Sequence, residues 1–247
     1  MFAEADCVTA TGSDETLAAL RQRVPLRTRF LGYGHRVSFG YITHAAWSNY
    51  SAKKIVARAA SDVVAWNQLG CLSPHVIYVE HGGSNSAEQF AEMLAEELAR
   101  REALEPRGPL PVEVAAAIAS RRAFYQVRAA HSPATRHWFS PDSTAWTVIY
   151  ENDSRFQTSC LHRFIYVKGV THLTQTLQGA DAVRGQISTV GLAASEDQTQ
   201  ELATQLARWG VTRICPLGQM QNPPLAWRHD GRLSLADLVT WTDWERG

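Results

Sequence analysis

The sequence predicts an α/β fold with a mostly parallel sheet covered by helices, and three observations lead to that prediction. Short runs rich in β-branched and aromatic residues alternate with segments of helical periodicity along the 247 residues. Strands that are separated by helices imply a parallel sheet with helices on both faces. Hydrophobic residues make up 45% of the chain and charged residues 19%, so a globular protein with a substantial core is expected.

The first half of the chain contains two predicted strands and four predicted helices. Ser86 and Gln89 match a capping box at the start of the third helix. Pro111 is typical of a helix start and begins the fourth. The predicted strands occupy 7–11 and 75–80, and the predicted helices occupy 13–24, 51–66, 86–101 and 112–130.

The second half repeats this alternation of strands and helices. Its predicted strands occupy 144–151, 163–170, 187–195 and 211–218. Between the last two strands, Ser195 can cap a helix that Gly210 closes. Ser234 with Asp237 predicts the start of a final helix over 233–245.

Composition excludes several classes of function. Lysine plus arginine and aspartate plus glutamate both number 24, so the chain lacks the excess positive charge typical of nucleic-acid binding. No apolar run approaches the roughly 20 residues that span a membrane, and the acidic start is unlike a signal peptide. The four cysteines are widely spaced, which predicts no disulfide framework or zinc site and suggests a reducing, cytoplasmic compartment.

Cys71 lies in the polar segment "NQLGCLSP", between a predicted helix and a predicted strand. One interpretation is an inert, buried thiol, because cysteine is among the most buried residue types. The other is a nucleophile on a loop. Cys7 and Cys215 lie within apolar strand patterns and are weaker candidates, as is Cys160.

Gly12 and Ser13 end the first predicted strand just before a helix. Backbone N–H groups at such a helix start can hold a phosphate. The alternative is a plain helix cap by Ser13 or Asp14, and the acids Asp14 and Glu15 already favour the positive helix end.

Two histidines lie in loops. His35 is either a candidate proton shuttle or an ordinary loop residue. His229, which precedes an aspartate and a glycine, is interpreted as part of a structural turn.

Five segments, in this order, resemble the acyl-CoA reductase (LuxC) family of the aldehyde dehydrogenase superfamily, which supplies long-chain fatty aldehyde to bacterial luciferase. The Cys-x-Ser-Pro loop is one of the two most specific parts of the resemblance, and the Gly-Val-Thr-Arg-Ile segment with its later Asp-Gly-Arg is the other. The five segments are "TGSDET", "GYGHRVSFGYI", "NQLGCLSPHVIYVE", "ISTVGLA" and "GVTRICPLGQMQNPPLAWRHDGRLSLADLVTW".

The resemblance implies a role for three residues. Cys71 matches the acyl-accepting thiol, which would form a thioester that a nicotinamide hydride, from NADPH, reduces to an aldehyde. The backbone N–H of Cys71 would help to hold the oxyanion. Gly12 and Ser13 match the turn that contacts the cofactor pyrophosphate.

The chain also departs from the superfamily pattern. Residues 32–36 replace a Glu-Leu-Gly-Gly-Lys stretch, so the glutamate that activates water for thioester hydrolysis is absent, which favours reduction over hydrolysis. A second superfamily glutamate, which anchors the nicotinamide ribose, falls near residues 157–159. We expect residues 1–33 to be a remnant of a cofactor-binding domain and 34–247 to be the catalytic domain.

Three functions follow as hypotheses. The first is a fatty acyl-CoA reductase, or a carboxy-terminal portion of one, with fatty acyl-CoA or an acyl-protein as donor. The second is a noncatalytic acyl-accepting or assembly subunit that pairs with an acyl-transfer partner protein or with its own copies, since a sheet that lacks neighbouring strands favours association. The third is a thioesterase, which the missing glutamate disfavours.

Overall fold

The computed structural model describes residues 2–48, 50–82, 85–233 and 235–247, and the chain divides into two compact units. The first unit comprises Met1–Arg36 with Pro224–Gly247, and the second comprises Val37–Pro223. This division rests on compactness. The assignment of a cofactor-binding remnant to 1–33 and of a catalytic domain to 34–247 therefore stays a prediction.

The first unit contains one β-α-β element. Strands β1 (Cys7–Thr11) and β2 (Arg29–Tyr33) pair in parallel, and helix α1 (Asp14–Arg23) connects them. The strand β1 and the helix α1 were predicted. The strand β2 was not, because "RFLGY" has no clear alternation of polar and apolar residues.

The predicted final helix over 233–245 is wrong. The described part of that segment has only a 3-10 turn at Ala236–Leu238, and Ser234 lies outside the described residues. The guanidinium of Arg29 donates to the carbonyl oxygens of Asp237 (3.0 Å) and Val239 (2.6 Å), which a helix would use internally. A contact with a residue far away in the sequence therefore replaces the local hydrogen bonds.

The second unit is built on a seven-stranded sheet in the order β5-β6-β7-β4-β3-β8-β9. All neighbouring strands are parallel except β5 and β6, which pair in antiparallel. The mostly parallel sheet is thus confirmed. The strands are β3 (Val37–Ile42), β4 (Pro74–Glu80), β5 (Thr135–Phe139), β6 (Thr147–Glu151), β7 (Phe164–Val170), β8 (Ile187–Ala193) and β9 (Arg213–Pro216).

The helices of the second unit cover both faces of this sheet. They are α2 (Ala52–Val64), α3 (Ala87–Leu104), α4 (Val112–His131), α5 (Leu173–Gly179) and α6 (Glu196–Trp209). The predicted capping box of Ser86 and Gln89 is present at the start of α3. Gly210 ends α6 with a φ of 115°, as predicted, whereas the Ser195 hydroxyl donates to the Gln198 side chain and caps no backbone N–H.

The core forms two layers, one on each face of the sheet. Because side chains alternate along a strand, Ile77 and Val79 of β4 pack with α2 and α3, whereas Val76 and Tyr78 pack with α4, α5 and α6. Tyr41, Phe90, Trp47 and Tyr166 are among the largest fully buried side chains. Strands that are buried on both faces give the continuous apolar runs from which they were predicted.

In the described ranges of the chain, no helix combines the length and the apolar character that crossing a membrane requires.

Candidate functional site

Cys71 lies on a tight turn that leads into β4. The turn closes with a 2.9 Å bond from the Ser73 N–H to the Gly70 carbonyl oxygen. Because the turn precedes β4, it lies at the edge of the sheet where the parallel strands begin. The Cys71 side chain is exposed and forms no disulfide. A reagent in solution can therefore reach its sulfur.

Ser38, at the start of β3, holds the backbone of this turn. Its buried hydroxyl donates a 2.8 Å hydrogen bond to the carbonyl oxygen of Cys71. The Ser38 hydroxyl oxygen in turn accepts a 3.2 Å bond from the backbone N–H of Thr189 in β8. One side chain thus ties the Cys71 turn to two central strands.

Three consecutive residues before the turn have a left-handed backbone. Trp66, Asn67 and Gln68 have φ values of 54°, 50° and 65°, which is uncommon for residues other than glycine and unfavourable for each. Gln68 is fully buried. Its amide nitrogen donates to three acceptors, namely the carbonyl oxygens of Pro74 (2.8 Å) and Phe164 (2.9 Å) and the hydroxyl of Ser159 (3.2 Å).

A second left-handed run, Leu161 to Arg163, lies against the first, with φ values of 60°, 55° and 67°. The buried Arg163 guanidinium donates to the Asn67 side-chain oxygen (3.0 Å) and to the Glu102 carboxylate (2.6 Å). The hydrogen bond from Arg163 to Asn67 therefore links the two left-handed runs. Such strain in a loop is a common feature of functional sites.

His75 and Ser159 form a further polar pair at this edge of the sheet. The Ser159 backbone N–H donates to Nδ1 of the buried His75 at 3.0 Å. Because Nδ1 accepts that hydrogen bond, the proton of the neutral ring lies on Nε2. Sequence reasoning missed Ser38 and His75, although His75 follows the Cys-x-Ser-Pro loop directly and a polar residue inside a buried strand was a usable signal.

The other thiols of the second unit are poor nucleophiles. Burial raises the pKa of Cys160 and raises that of Cys215 to about 11. At neutral pH both therefore stay protonated. Since the thiolate is the reactive form, Cys71 is the strongest candidate in the second unit on grounds of exposure.

Gly12 and Ser13 belong to the first compact unit, whereas Cys71 belongs to the second. The Ser13 hydroxyl accepts the Thr16 N–H at 3.2 Å, so Ser13 is a helix cap. The Gly12 N–H already donates to the Tyr33 carbonyl oxygen at 3.2 Å. The structure therefore agrees with the alternative in which this segment caps a helix.

The start of α1 is a poor fit for a pyrophosphate. Asp14 and Glu15 occupy the first turn, and Asp14 accepts the backbone N–H of His35 at 3.2 Å. The pKa of the Glu15 carboxyl is lowered by a bond to its own backbone N–H and by Ser13. Two carboxylates would repel a phosphate at the helix end that would otherwise attract it.

The remaining histidine candidates also lie in the first unit. The His35 side chain is exposed. His229 stacks on Tyr33 with ring centroids 4.7 Å apart, and Asp230 pairs with Arg36 at 3.1 Å. These contacts agree with the interpretation of His229 and Asp230 as a structural turn.

A model of the family described as Acyl-CoA reductase (LuxC) matches residues 1–241. The search of curated proteins finds no match. Among solved structures, the bifunctional proline utilization A protein is 14% identical with a TM-score of 0.66, and the match covers 90% of this chain and 23% of that one.

Two further solved structures have similar folds. NADP-dependent glyceraldehyde-3-phosphate dehydrogenase from Bacillus halodurans C-125, complexed with NADP, is 10% identical with a TM-score of 0.61; the match covers 85% of this chain and 44% of that one. Betaine aldehyde dehydrogenase from Staphylococcus aureus, in complex with NAD+, is 13% identical with a TM-score of 0.58; the match covers 85% of this chain and 43% of that one. The fold is thus aldehyde dehydrogenase-like, and the chain spans less than half the length of these proteins.

Proposed function

The chain belongs to the acyl-CoA reductase (LuxC) family, and we propose that Cys71 is the thiol on which it accepts a fatty acyl group. The observation that carries the proposal is an exposed sulfur on a turn whose backbone is held by Ser38. The segment at 66–68 adds to this argument, because the folded protein keeps its unfavourable left-handed backbone conformation close to Cys71.

The acylation step is a transthioesterification, in which the acyl group moves from the sulfur of coenzyme A to that of Cys71. The Cys71 thiolate attacks the carbonyl carbon of a fatty acyl-CoA, and a new carbon–sulfur bond forms. The bond to the coenzyme A sulfur then breaks, and that sulfur leaves with the electron pair and takes up a proton. The backbone N–H of Cys71 is the proposed donor to the oxyanion. A turn held by hydrogen bonds keeps the sulfur and this N–H in a fixed relation.

Reduction of the thioester to a long-chain aldehyde needs a hydride donor, for which the family resemblance indicates NADPH. The start of α1, with Gly12 and Ser13, is a poor site for its pyrophosphate because Asp14 and Glu15 lie there. The chemistry that this chain's own residues support is therefore acylation. We expect little or no NADPH oxidation when the isolated chain is mixed with acyl-CoA, as followed by absorbance.

The proposal is tested by incubating the protein with a labelled long-chain acyl-CoA and measuring the adduct by intact-mass spectrometry. We expect one acyl group per chain, removed by neutral hydroxylamine, as is typical of a thioester. Cys71→Ala should abolish the adduct. Cys160→Ala and Cys215→Ala are matched controls, because each removes a protonated thiol, and both should be acylated normally. An adduct that persists in Cys71→Ala would place the nucleophile elsewhere.

A second candidate function is a noncatalytic acyl-accepting subunit, which the poor fit of the α1 start for a cofactor favours. In that case a partner chain or another copy would supply the cofactor site. Size-exclusion chromatography with light scattering, with and without candidate acyl-transfer proteins, distinguishes the two. Turnover of NADPH by the chain alone would support the reductase over the acyl carrier. Rapid loss of the adduct in buffer would instead favour a thioesterase.

A further inference from the structure

A cavity of about 630 Å³ lies at the carboxyl ends of β3, β8 and β9, between α2 and α6. Its size falls within the range of roughly 300–1,000 Å³ that is usual for small-molecule sites. The proposed acylation of Cys71 does not involve this cavity. Its lining residues are Ala45, Ala46, Ser48, Ser51, Lys54, Ile55, Arg58, Leu192, Ala193, Ala194, Thr199, Ala203, Ile214, Cys215 and Pro216.

The cavity is separate from the Cys71 turn. The parallel pairing of β3 with β4 places Ser38 opposite Pro74, next to the turn, and Ile42 opposite Val79 at the far end. Six residues of β3 at about 3.3 Å each extend over roughly 16–20 Å. The cavity begins beyond Ile42, at Ala45, so the sheet separates it from the Cys71 sulfur.

The charge of the cavity wall is positive. Lys54 and Arg58 lie one helical turn apart on α2, and the described residues that line the cavity include no aspartate or glutamate. Within the ranges that the structure describes, neither side chain has a hydrogen bond or an ion pair. Like charges at this spacing repel each other. Packing of the fold therefore does not account for the pair, whereas an anion between them would.

The position of Lys54 in α2 strengthens this argument. The first turn of a helix normally favours acidic side chains, because the helix start is positive. The first turn of α2 has no acid, and its N-cap residue Ser51 makes no side-chain cap bond. Lys54 thus adds a positive charge to a helix end that is already positive. This combination attracts anions.

The rest of the wall is apolar. Ile55 and Leu192 are buried, and several alanines and Ile214 also line the cavity. Burial raises the pKa of the Cys215 thiol to about 11, so this residue adds no negative charge at neutral pH. An apolar wall with a few charged groups at one side matches a ligand with one apolar and one charged part.

We propose that this cavity binds a linear aliphatic molecule with an anionic head group, held between Lys54 and Arg58, with its chain against Ile55 and Leu192. The proposal is independent of Cys71. A site that binds only small anions would need no apolar wall, and a site that binds only apolar molecules would need no cations. The proposed ligand uses both features.

The test is isothermal titration calorimetry of the full chain, in the Cys71→Ala background so that acylation does not interfere. Decanoate, decyl sulfate and decyl phosphate are the probes, each below its micelle-forming concentration, and the order of their affinities identifies the head group. We expect one binding site. Acetate and decyltrimethylammonium should bind at least about tenfold more weakly, because each lacks one of the two required parts.

Three variants test the position of the site. Lys54→Gln with Arg58→Gln should weaken binding of the best probe by about tenfold or more. Lys53→Gln removes a neighbouring exposed cation that does not line the cavity, so it should leave binding unchanged. Ala203→Trp should fill the apolar part and abolish binding.

The proposal is overturned if none of the three anionic probes binds, if the double variant binds them as tightly as its parent, or if decyltrimethylammonium binds equally well. Thermal melts monitor folding of each variant. Lys54 and Arg58 are exposed, so the double variant decides the question even if Ala203→Trp fails to fold.

Discussion

The hydroxyl of Ser38 connects the carbonyl oxygen of Cys71, 2.8 Å away, to the backbone N–H of Thr189 at 3.2 Å. These residues are far apart in the sequence, and they meet because β3 lies between β4 and β8 in the sheet. The exposed thiol therefore stands on a backbone that the centre of the sheet holds in place. A hydrogen bond of this kind positions a reactive group without touching it.

Ser38→Ala should lower the rate of Cys71 acylation by about tenfold and the free energy of unfolding by about 1–3 kcal/mol, because a buried N–H and a carbonyl oxygen lose their partner. Mass spectrometry of the adduct in samples quenched at successive times gives the acylation rate, and urea denaturation gives the free energy of unfolding. Ser61→Ala, which removes a 2.9 Å hydroxyl bond to Ala57 in α2, is the matched control and should keep the parental acylation rate. An unchanged rate in Ser38→Ala would show that this bond does not position the turn.

Gln68→Glu should destabilise the protein by about 3 kcal/mol or more, because it replaces a donating amide with a carboxyl group that faces three acceptors. Gln89→Glu is the matched control. There the side-chain oxygen accepts the Ser86 N–H at 2.6 Å, and a carboxylate accepts it equally well, so a change below about 0.5 kcal/mol is expected. Equal effects of the two substitutions in urea denaturation would contradict the role of Gln68 in holding the left-handed segment.

Lys168→Met should lower the free energy of unfolding by about 3–5 kcal/mol, since the buried Glu151 carboxylate loses its buried cation and keeps the partly exposed Arg128, 3.0 Å away. The fully buried ammonium lies 2.6 Å from the Glu151 carboxylate and 2.8 Å from that of Asp153. Adding Glu151→Gln should recover part of the loss, because the buried negative charge is then removed. A double-mutant cycle in urea measures the coupling, and additive effects would show that the pair does not interact.

The pH dependence of stability should reveal Asp62. Burial raises the pKa of its carboxyl from 3.8 to about 6, although it accepts the N–H groups of Gly218 and Met220. Between these two pH values the unfolded chain is ionised while the folded chain keeps the proton. Stability should therefore fall by up to roughly 3 kcal/mol as the pH rises from about 4 to about 6.

Asp62→Asn removes this titrating group. Its free energy of unfolding should be lower at every pH, because an amide serves only one of the two N–H groups as an acceptor. The difference from the parent should be largest near pH 4 and should shrink toward pH 7. Chemical denaturation at a series of pH values measures it. A difference that does not vary with pH would show that Asp62 is ionised in the folded protein throughout this range.

Local pattern was enough to predict most of the sheet and the long helices. The apolar run of β4 and the capping box of α3 are properties of consecutive residues, so they are visible without a structure. The strands β2, β3 and β5 and the short helix α5 were not predicted. The elements β2, β5 and α5 are short and only partly buried, so their sequences have no strong alternation. The strand β3 is fully buried, but Ser38 and Gly40 interrupt its apolar run.

The sequence by itself determined the α/β class, the loop position of Cys71 and, through its motifs, the family of the chain. Only the tertiary structure decided that Ser38, Gln68 and Arg163 hold the residues around Cys71. It also decided that Arg29 takes up the carbonyl groups of the predicted final helix, and that two cations of α2 face an apolar cavity. The physical reason is distance along the chain. Periodicity and capping depend on residues that are close in the sequence. The hydrogen bonds around Cys71 and the lining of the cavity instead involve strands and helices that become neighbours only when the sheet has formed.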